Sequence, residues 1–242
     1  MIKRFITDSG VSMDAIDVAA MRRLDQLAVD STGPNLFQMM ENAGRNLAEL
    51  TLQILGDEWR RASVTVLAGG GGNGGGGLCA GRHLRNHGLK VNYALADEDH
   101  LSEVTVQQLR LLRTAGAAEI KPAALGSLKS TVILDAVIGY SLSGAPRGVA
   151  LDLIRWANSA PGKTISLDIP SGIDADSGKA PGEHITADAT LTLAWPKKGL
   201  LPEQTGRLWL GDIGIPAAVY IQAGINFAAP FDRRYLVPLS AV

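Results

Sequence analysis

The chain has 242 residues, 46% hydrophobic and 19% charged, with a formal net charge of −1 and a single cysteine. That length supports one medium-sized core, and the composition excludes a fibrous or disordered class. The balanced charge, with no run of one sign, argues against broad electrostatic binding to nucleic acid or an acidic membrane, and a lone Cys79 excludes an intramolecular disulfide and a multi-cysteine metal centre.

Along the chain, the amino-terminal "MIKRFITDSG" lacks the apolar core of a targeting signal, and no apolar run reaches the roughly 18 residues of a membrane span. The sequence therefore reads as a cytoplasmic protein that does not enter the membrane. Two helices come first. "SMDAIDVAAMRRLDQLAVDS" places Ile16, Ala20, Leu24 and Leu27 at helical spacing behind a Ser12 cap. "NLFQMMENAGRNLAELTLQIL" repeats the pattern through Leu36, Met40, Leu47, Leu50 and Ile54, with Met39 and Met40 as core packing.

From Val64 the pattern alternates. "SVTVLAG" reads as a strand and "GLCAGRHLRNHG" as a helix stopped by Gly88; "KVNYALA" and "EVTVQQLRLLRTAG" repeat the pair, ending at Gly116. "TVILDAVIG" is a strand, "VALDLIRWANS" a helix, and "KTISLDIPSG" a strand running into a turn. "ADATLTLAW" and "GRLWLGDIG" read as two further strands. Alternating strands and helices with apolar strand interiors predict an α/β fold, a largely parallel sheet covered on both faces. No linker interrupts the series, so residues 1–242 read as one domain.

Between the first of these strands and its helix stand eight glycines and Asn73, "GGGGNGGGG". Such a run exposes backbone N–H groups beside a positive helix end, suited to phosphate. It satisfies G-x-G-x-x-G trivially, and with no Lys-Ser or Lys-Thr behind it the P-loop reading fails. Asp97, about 20 residues on, keeps a dinucleotide dehydrogenase open as a competitor, with Asp97 on a ribose. Cys79 reads more simply as a small buried side chain than as a thiolate favoured by the helix start.

Asp135 follows "TVIL" and Asp168 follows "TISL", so both lie at carboxyl ends of strands, the edge at which the glycine run also leaves its strand. Ligands of open α/β sheets bind there. In "DIPSGIDADSG", Pro170 biases Ile169 towards extended backbone and Ser171-Gly172 turns the chain. Asp174 and Asp176 read as solvated turn residues, and the four histidines show no ligand spacing. Two carboxylates beside a phosphate repel it by about 4 kcal/mol per pair at 4 Å and an effective dielectric near 20. Either one is protonated or a cation sits between them. Asn73, Asp135 and Ser171 offer hard oxygen donors carrying little charge, suited to an alkali ion better than to zinc.

Together "MMENAGR", "AGRHL", "ILDAVIGYSLSGAPRG", "SLDIPSGIDADSG", "ADATLTLAWPKKGLL" and "GRLWLGDIGIP" resemble the NAD(P)H-hydrate epimerase, or YjeF N-terminal domain, family. The resemblance implies a three-layer α/β/α Rossmann-like sandwich, usually a homodimer, that interconverts the R and S epimers of NADHX and NADPHX. This serves a separate NAD(P)H-hydrate dehydratase, for which the chain ends too early. It implies a substrate site lined by Gly72, Asn73, Gly74, Gly75 and Gly76 and by Gly139, Tyr140, Ser141, Leu142, Ser143, Gly144 and Ala145. Asp168 would contact the substrate as the general acid/base, and Asn73, Asp135 and Ser171 would hold one potassium ion (K+) per subunit. The family loop commonly reads G-P-G-N-N-G-G-D-G; here Gly72 replaces its first asparagine and Gly76 its aspartate. A non-catalytic scaffold of the same fold is the other competitor. RNA binding lacks a basic stripe or an aromatic platform to support it.

Overall fold

The structure, a computed structural model, describes residues 2–31 and 33–242. Its strands are β1 (Arg4–Thr7), β2 (Ser12–Asp14), β3 (Ser63–Ala68), β4 (Lys90–Leu95), β5 (Ala118–Glu119), β6 (Val132–Ala136), β7 (Lys163–Leu167), β8 (Ala189–Leu193), β9 (Arg207–Gly211) and β10 (Leu236–Ala241). They form one sheet in the order β2-β1-β10-β9-β8-β7-β6-β3-β4-β5. The stretch from β9 to β5 is parallel throughout. β10, β1 and β2 add antiparallel strands beyond β9.

The helices are α1 (Val18–Asp30), α2 (Leu36–Leu55), α3 (Gly72–Asn86), α4 (Glu103–Thr114), α5 (Gly148–Ser159), α6 (Pro202–Thr205) and α7 (Ala217–Gln222). Side chains alternate across the strands as the pleat requires. Val64, Val66 and Leu134 share a core with Leu47 of α2, Leu78 of α3 and Leu112 of α4. Leu67 and Ile133 point the other way, onto Leu153 and Ile154 of α5 and Leu125 of a 3₁₀ stretch. The predicted α/β fold with helices on both faces is what the chain adopts. No described helix is long and apolar enough to cross a membrane.

Four strands lie outside the predicted series: β1, β2, β10 and the two-residue β5. Ser12 sits in β2 and caps nothing; α1 begins at Val18, capped by Asp17, whose carboxylate accepts from the Ala20 N–H. β1 and β2 are four and three residues long, too short to show a period, and β10 carries Pro238 inside it. Proline normally argues against a strand interior. Asp176, read as a solvated turn residue, accepts from the Val18 N–H at 2.7 Å and so ties the DIPSG segment to the start of α1.

The glycine run also differs from the expected loop. Only Gly69–Gly71 form the turn, while Gly72–Gly77 wind into the first turns of α3. Most of these glycines make room for protein. A Cβ on Gly69 would stand 2.0 Å from the Val137 carbonyl oxygen, and one on Gly70 2.2 Å from that of His100. On Gly77 it would lie 2.4 Å from the Ala136 Cβ, and Gly44 of α2 needs the same closeness to Cys79. The run thus presses α3 flat onto β3 and β6 and lets α2 lie against it.

Gly77→Ala should therefore destabilise the protein by about 1–3 kcal/mol through overpacking against the sheet. Gly72→Ala, whose Cβ meets only the Met40 sulfur at 3.6 Å, should be neutral or stabilising by up to about 1 kcal/mol, the helix-propensity difference. Thermal and urea denaturation of the two variants distinguish these outcomes; equal destabilisation would refute the packing account.

Candidate functional site

The parallel strands reverse order between β3 and β6: β4 and β5 extend one way, β7 to β9 the other. Crevices form at such switch points, outside the carboxyl ends of the strands. Here the crevice is a cavity of about 370 Å³. Gly71, Gly72 and Asn73 enter from α3, and Val137 to Ser141 from the turn after β6. Met21, Asp25 and Val29, spaced i, i+4 and i+8 on α1, form one further wall; Leu36, Met39 and Met40 of α2 form another. The two methionines are packed as predicted and also face the cavity.

Asp168 reaches the cavity through an unusual backbone. Its φ is +70°, and the Ile169 N–H donates to the Leu167 carbonyl at 2.9 Å. That i to i+2 bond around a positive φ is the rare, strained hand of γ-turn. β8 ends the same way: Ala194 has φ +60° and the Trp195 N–H donates to Leu193 at 2.6 Å. By strand parity Asp168 would follow Ser166 onto the α5 face. The turn re-aims it, and its carboxylate accepts from the Leu193 N–H at 3.2 Å and from Lys197 Nζ.

Asp168 is 4% exposed and Lys197 1%. The ammonium is also bonded to the Leu193 carbonyl at 2.9 Å and the Thr192 hydroxyl at 3.3 Å. A buried ion pair costs several kcal/mol of desolvation per ion and persists only with this kind of hydrogen bonding. Lys197 is the residue that sequence reasoning missed. The charge argument asked for a cation at this edge, and "AWPKKG" supplies one just past the end of β8.

Asp25 is the second. It lies on the buried stripe of α1 next to Met21 and Leu24, a carboxylate at an apolar spacing, which was the available signal. The Tyr140 hydroxyl donates to Asp25 at 2.5 Å. Burial pushes the Asp25 carboxyl above its usual range, outweighing that bond and the nearby Lys197 charge. Burial, with Asp25 beside it, also raises the Tyr140 phenol.

Asp135 is fully buried and does not line the cavity. The register sets it opposite Ser166, whose hydroxyl donates to it at 2.7 Å. The Ser171 N–H and hydroxyl add bonds at 2.9 and 2.5 Å, and the Val137 N–H one at 3.4 Å. Burial still raises its carboxyl. Its partners are neutral donors, none of them a Lys, Arg or His side chain. Ser171 is buried as well and ties Asp135 to the turn after β6 through Ile138. Asn73 lines the cavity, and among the described residues its buried side-chain nitrogen has no hydrogen-bond partner.

Of the remaining predicted lining residues, Gly139, Tyr140 and Ser141 face the cavity, while Leu142, Ser143, Gly144 and Ala145 lie away from it. Gly74, Gly75 and Gly76 are buried in the packing of α3. A Cβ on Gly74 would meet the Gly69 carbonyl at 1.9 Å; one on Gly76 would meet the Leu167 side chain at 2.7 Å. Leu167 therefore fills the space an acid at position 76 would use. Asp97 lies outside the cavity, its carboxylate spent on the N–H groups of Asp99 and His100 and on the His100 ring.

A separate cluster joins Glu41, Cys79 and His83, whose ligand atoms lie within 4.8 Å of one another. The Arg82 guanidinium occupies it, donating to both Glu41 oxygens at 2.6 and 2.7 Å and lying 3.3 Å from the Cys79 sulfur. Burial opposes ionisation of Glu41, but the Arg82 and His83 bonds prevail and lower it to about 2. Burial and the Glu41 charge push the Cys79 thiol up to about 12. The simple reading of Cys79 as an inert packed side chain holds.

Comparison with known proteins shows what the chain is similar to. The chain is 59% identical over 242 residues to an NAD(P)H-hydrate epimerase of Dehalogenimonas lykanthroporepellens, covering 100% of this chain and 99% of that one. It is 36% identical to an NAD(P)H-hydrate epimerase of Truepera radiovictrix, covering 89% and 97%. A bifunctional NAD(P)H-hydrate repair enzyme Nnr of Hyperthermus butylicus is 35% identical over 93% of this chain, which spans 42% of that protein. The crystal structure of the yeast protein ynu0, YNL200c, superposes with a TM-score of 0.79 at 21% identity, covering 95% and 100%, and so shares the fold. The model of the family described as YjeF-related protein N-terminus matches residues 36–199, and the chain belongs to that family.

Proposed function

We infer that the protein is an NAD(P)H-hydrate epimerase, an isomerase that interconverts the R and S epimers of NADHX and NADPHX. Full-length likeness to proteins of that name supports the activity. The observation that carries the chemistry is Asp168, held by Lys197 at a strained turn and facing a largely apolar cavity.

The hydrated nicotinamide carries a hydroxyl on C6 beside N1, a carbinolamine. Protonation of that hydroxyl lets the N1 lone pair expel water, leaving a planar iminium carbon. Water returning to the opposite face inverts the centre. No redox step occurs, and the oxygen is exchanged with solvent. Asp168 is positioned to move the proton at this hydroxyl. The apolar walls from α1 and α2 suit an uncharged ring. The first N–H groups of α3, ahead of Gly75, whose N–H is bonded to the Gly71 carbonyl, suit the pyrophosphate.

The donor set of Asn73, Asp135 and Ser171 fits a potassium ion. Asp135 is a buried carboxylate whose bonds come from neutral groups, and the Asn73 side chain, whose amide oxygen is the atom that would meet a cation, lies beside the turn after β6. Bound there, the ion would neutralise the buried charge and stiffen the Gly139 turn. By the same resemblance the active form is a homodimer; a monomer mass in light scattering would overturn that. The bifunctional relatives support a functional partnership with an NAD(P)H-hydrate dehydratase. The competing dehydrogenase loses its ribose ligand, since Asp97 is taken up in its own turn.

Incubation of the purified protein with the isolated R epimer of NADHX should yield S, followed by chromatography. Asp168→Asn should slow this by about 10²–10⁴-fold, the usual size of a general acid–base contribution. A normal rate would remove Asp168 from the chemistry. Replacing potassium by N-methylglucamine should lower both the rate and the melting midpoint, by mass action on the folded state. Asp135→Asn should abolish the potassium dependence of the midpoint; an unchanged dependence would place the ion elsewhere.

A further inference from the structure

Epimerisation through a planar intermediate needs proton handling on both faces of the ring, whereas a single carboxyl stands on one. Resting on the epimerase reading, we propose that Asp25 is a second catalytic acid/base, paired across the cavity with Asp168 and held by Tyr140. Asp168 enters from the sheet edge after β7 and Asp25 from α1, so the two come from different walls of the same cavity. Their surroundings differ in the way an acid and a base require. Asp168 is in direct contact with the Lys197 ammonium and also accepts the Leu193 N–H. Asp25 has one hydrogen-bond partner among the described residues, the Tyr140 hydroxyl, and no cation at ion-pair distance. Carboxyl pairs whose environments diverge in this way mark acid and base assignments.

Tyr140 connects the two groups. Its hydroxyl donates to Asp25 and its ring lies 6.0 Å from Lys197 Nζ. Burial raises the Asp25 carboxyl, the direction a proton donor needs. In one direction Asp25 protonates the C6 hydroxyl, the C6–O bond breaks, and its electron pair leaves with water as the N1 lone pair forms the C6–N1 double bond. Asp168 then takes a proton from a water on the other face, whose oxygen bonds to C6 while the double-bond pair returns to N1. One water leaves and one enters, and a proton has passed from Asp25 to Asp168. The reverse reaction starts from that second state.

The test uses the whole protein with each purified epimer in ¹⁸O-water, following inversion and isotope uptake separately. Wild type should show both. Asp25→Asn should lose inversion by about 100-fold or more but still exchange ¹⁸O into one epimer without inverting it, because Asp168 can expel and return water on its own face. Asp168→Asn should show the opposite epimer preference. Inversion by Asp25→Asn within a few fold of wild type overturns the proposal, as does loss of exchange in both epimers by the folded variant. Should Asp25→Asn not fold, Tyr140→Phe, which keeps the ring but removes the hydrogen bond that orients the carboxyl, should lower kcat. An unaltered kcat there overturns the proposal equally. A wild-type protein that inverts neither epimer refutes the epimerase reading itself, a result distinct from these.

Discussion

The buried contact between Asp168 and Lys197 is the constraint on which the cavity depends. It asks for a positive φ at a residue with a side chain, and backbone of that kind costs about 1–3 kcal/mol. It also buries two charges, for which well-packed apolar residues would serve stability as well or better. Neither cost is explained by packing. Both are met locally, by parallel γ-turns at the ends of β7 and β8 that bring the Leu193 N–H to the carboxylate and the Leu193 carbonyl to the ammonium. One residue therefore closes the circuit from both sides.

Placing that pair where a ligand can reach it requires the sheet edge to be open, and the glycine-rich start of α3 achieves this by packing. Gly69 and Gly70 let the chain cross close to the ends of β6 and the β4–α4 loop, and Gly77 and Gly81 let the helix lie against β6 and Val66 of β3. With the helix seated so low, its N-terminus, the Asn73 side chain and the turn after β6 share one wall. The N–H groups of that terminus remain available because Gly71, the cap, brings no side chain to bond them.

The parallel body of the fold, apart from the two-residue β5, was legible because each strand is an apolar run bounded by a glycine or a turn, and each helix carries a 3.6-residue period. The antiparallel edge was not: β1 and β2 are too short for a period, and Pro238 disguises β10. At the site, strand-end position alone marked Asp135 and Asp168. It could not tell that a turn would aim one into the cavity while register gave the other to Ser166 and Ser171. Lys197 and Asp25 stayed hidden for opposite reasons. Lys197 lies past the end of β8 and meets a carboxylate from the end of a different strand, and Asp25 is a single carboxylate beside the apolar Met21, Leu24 and Ala28 of α1.

Three carboxyls, two of them buried and Asp25 partly so, cluster at one crevice, and the protein compensates each differently. Asp168 has a full opposite charge. Asp135 has four neutral donors from backbone and hydroxyls. Asp25 has a single phenol. In a medium of low dielectric the ionised form of a carboxyl is favoured in proportion to the charge and donors aimed at it. Asp168 is fixed by that charge at the cavity edge, while Asp135, which does not line the cavity, holds the DIPSG turn through Ser171. Asp25 has the fewest partners for a negative charge, and burial raises its carboxyl. A pocket that meets an uncharged ring with one such carboxyl and one ion-paired carboxyl contains, before any ligand enters, the asymmetry that moving a proton across that ring demands.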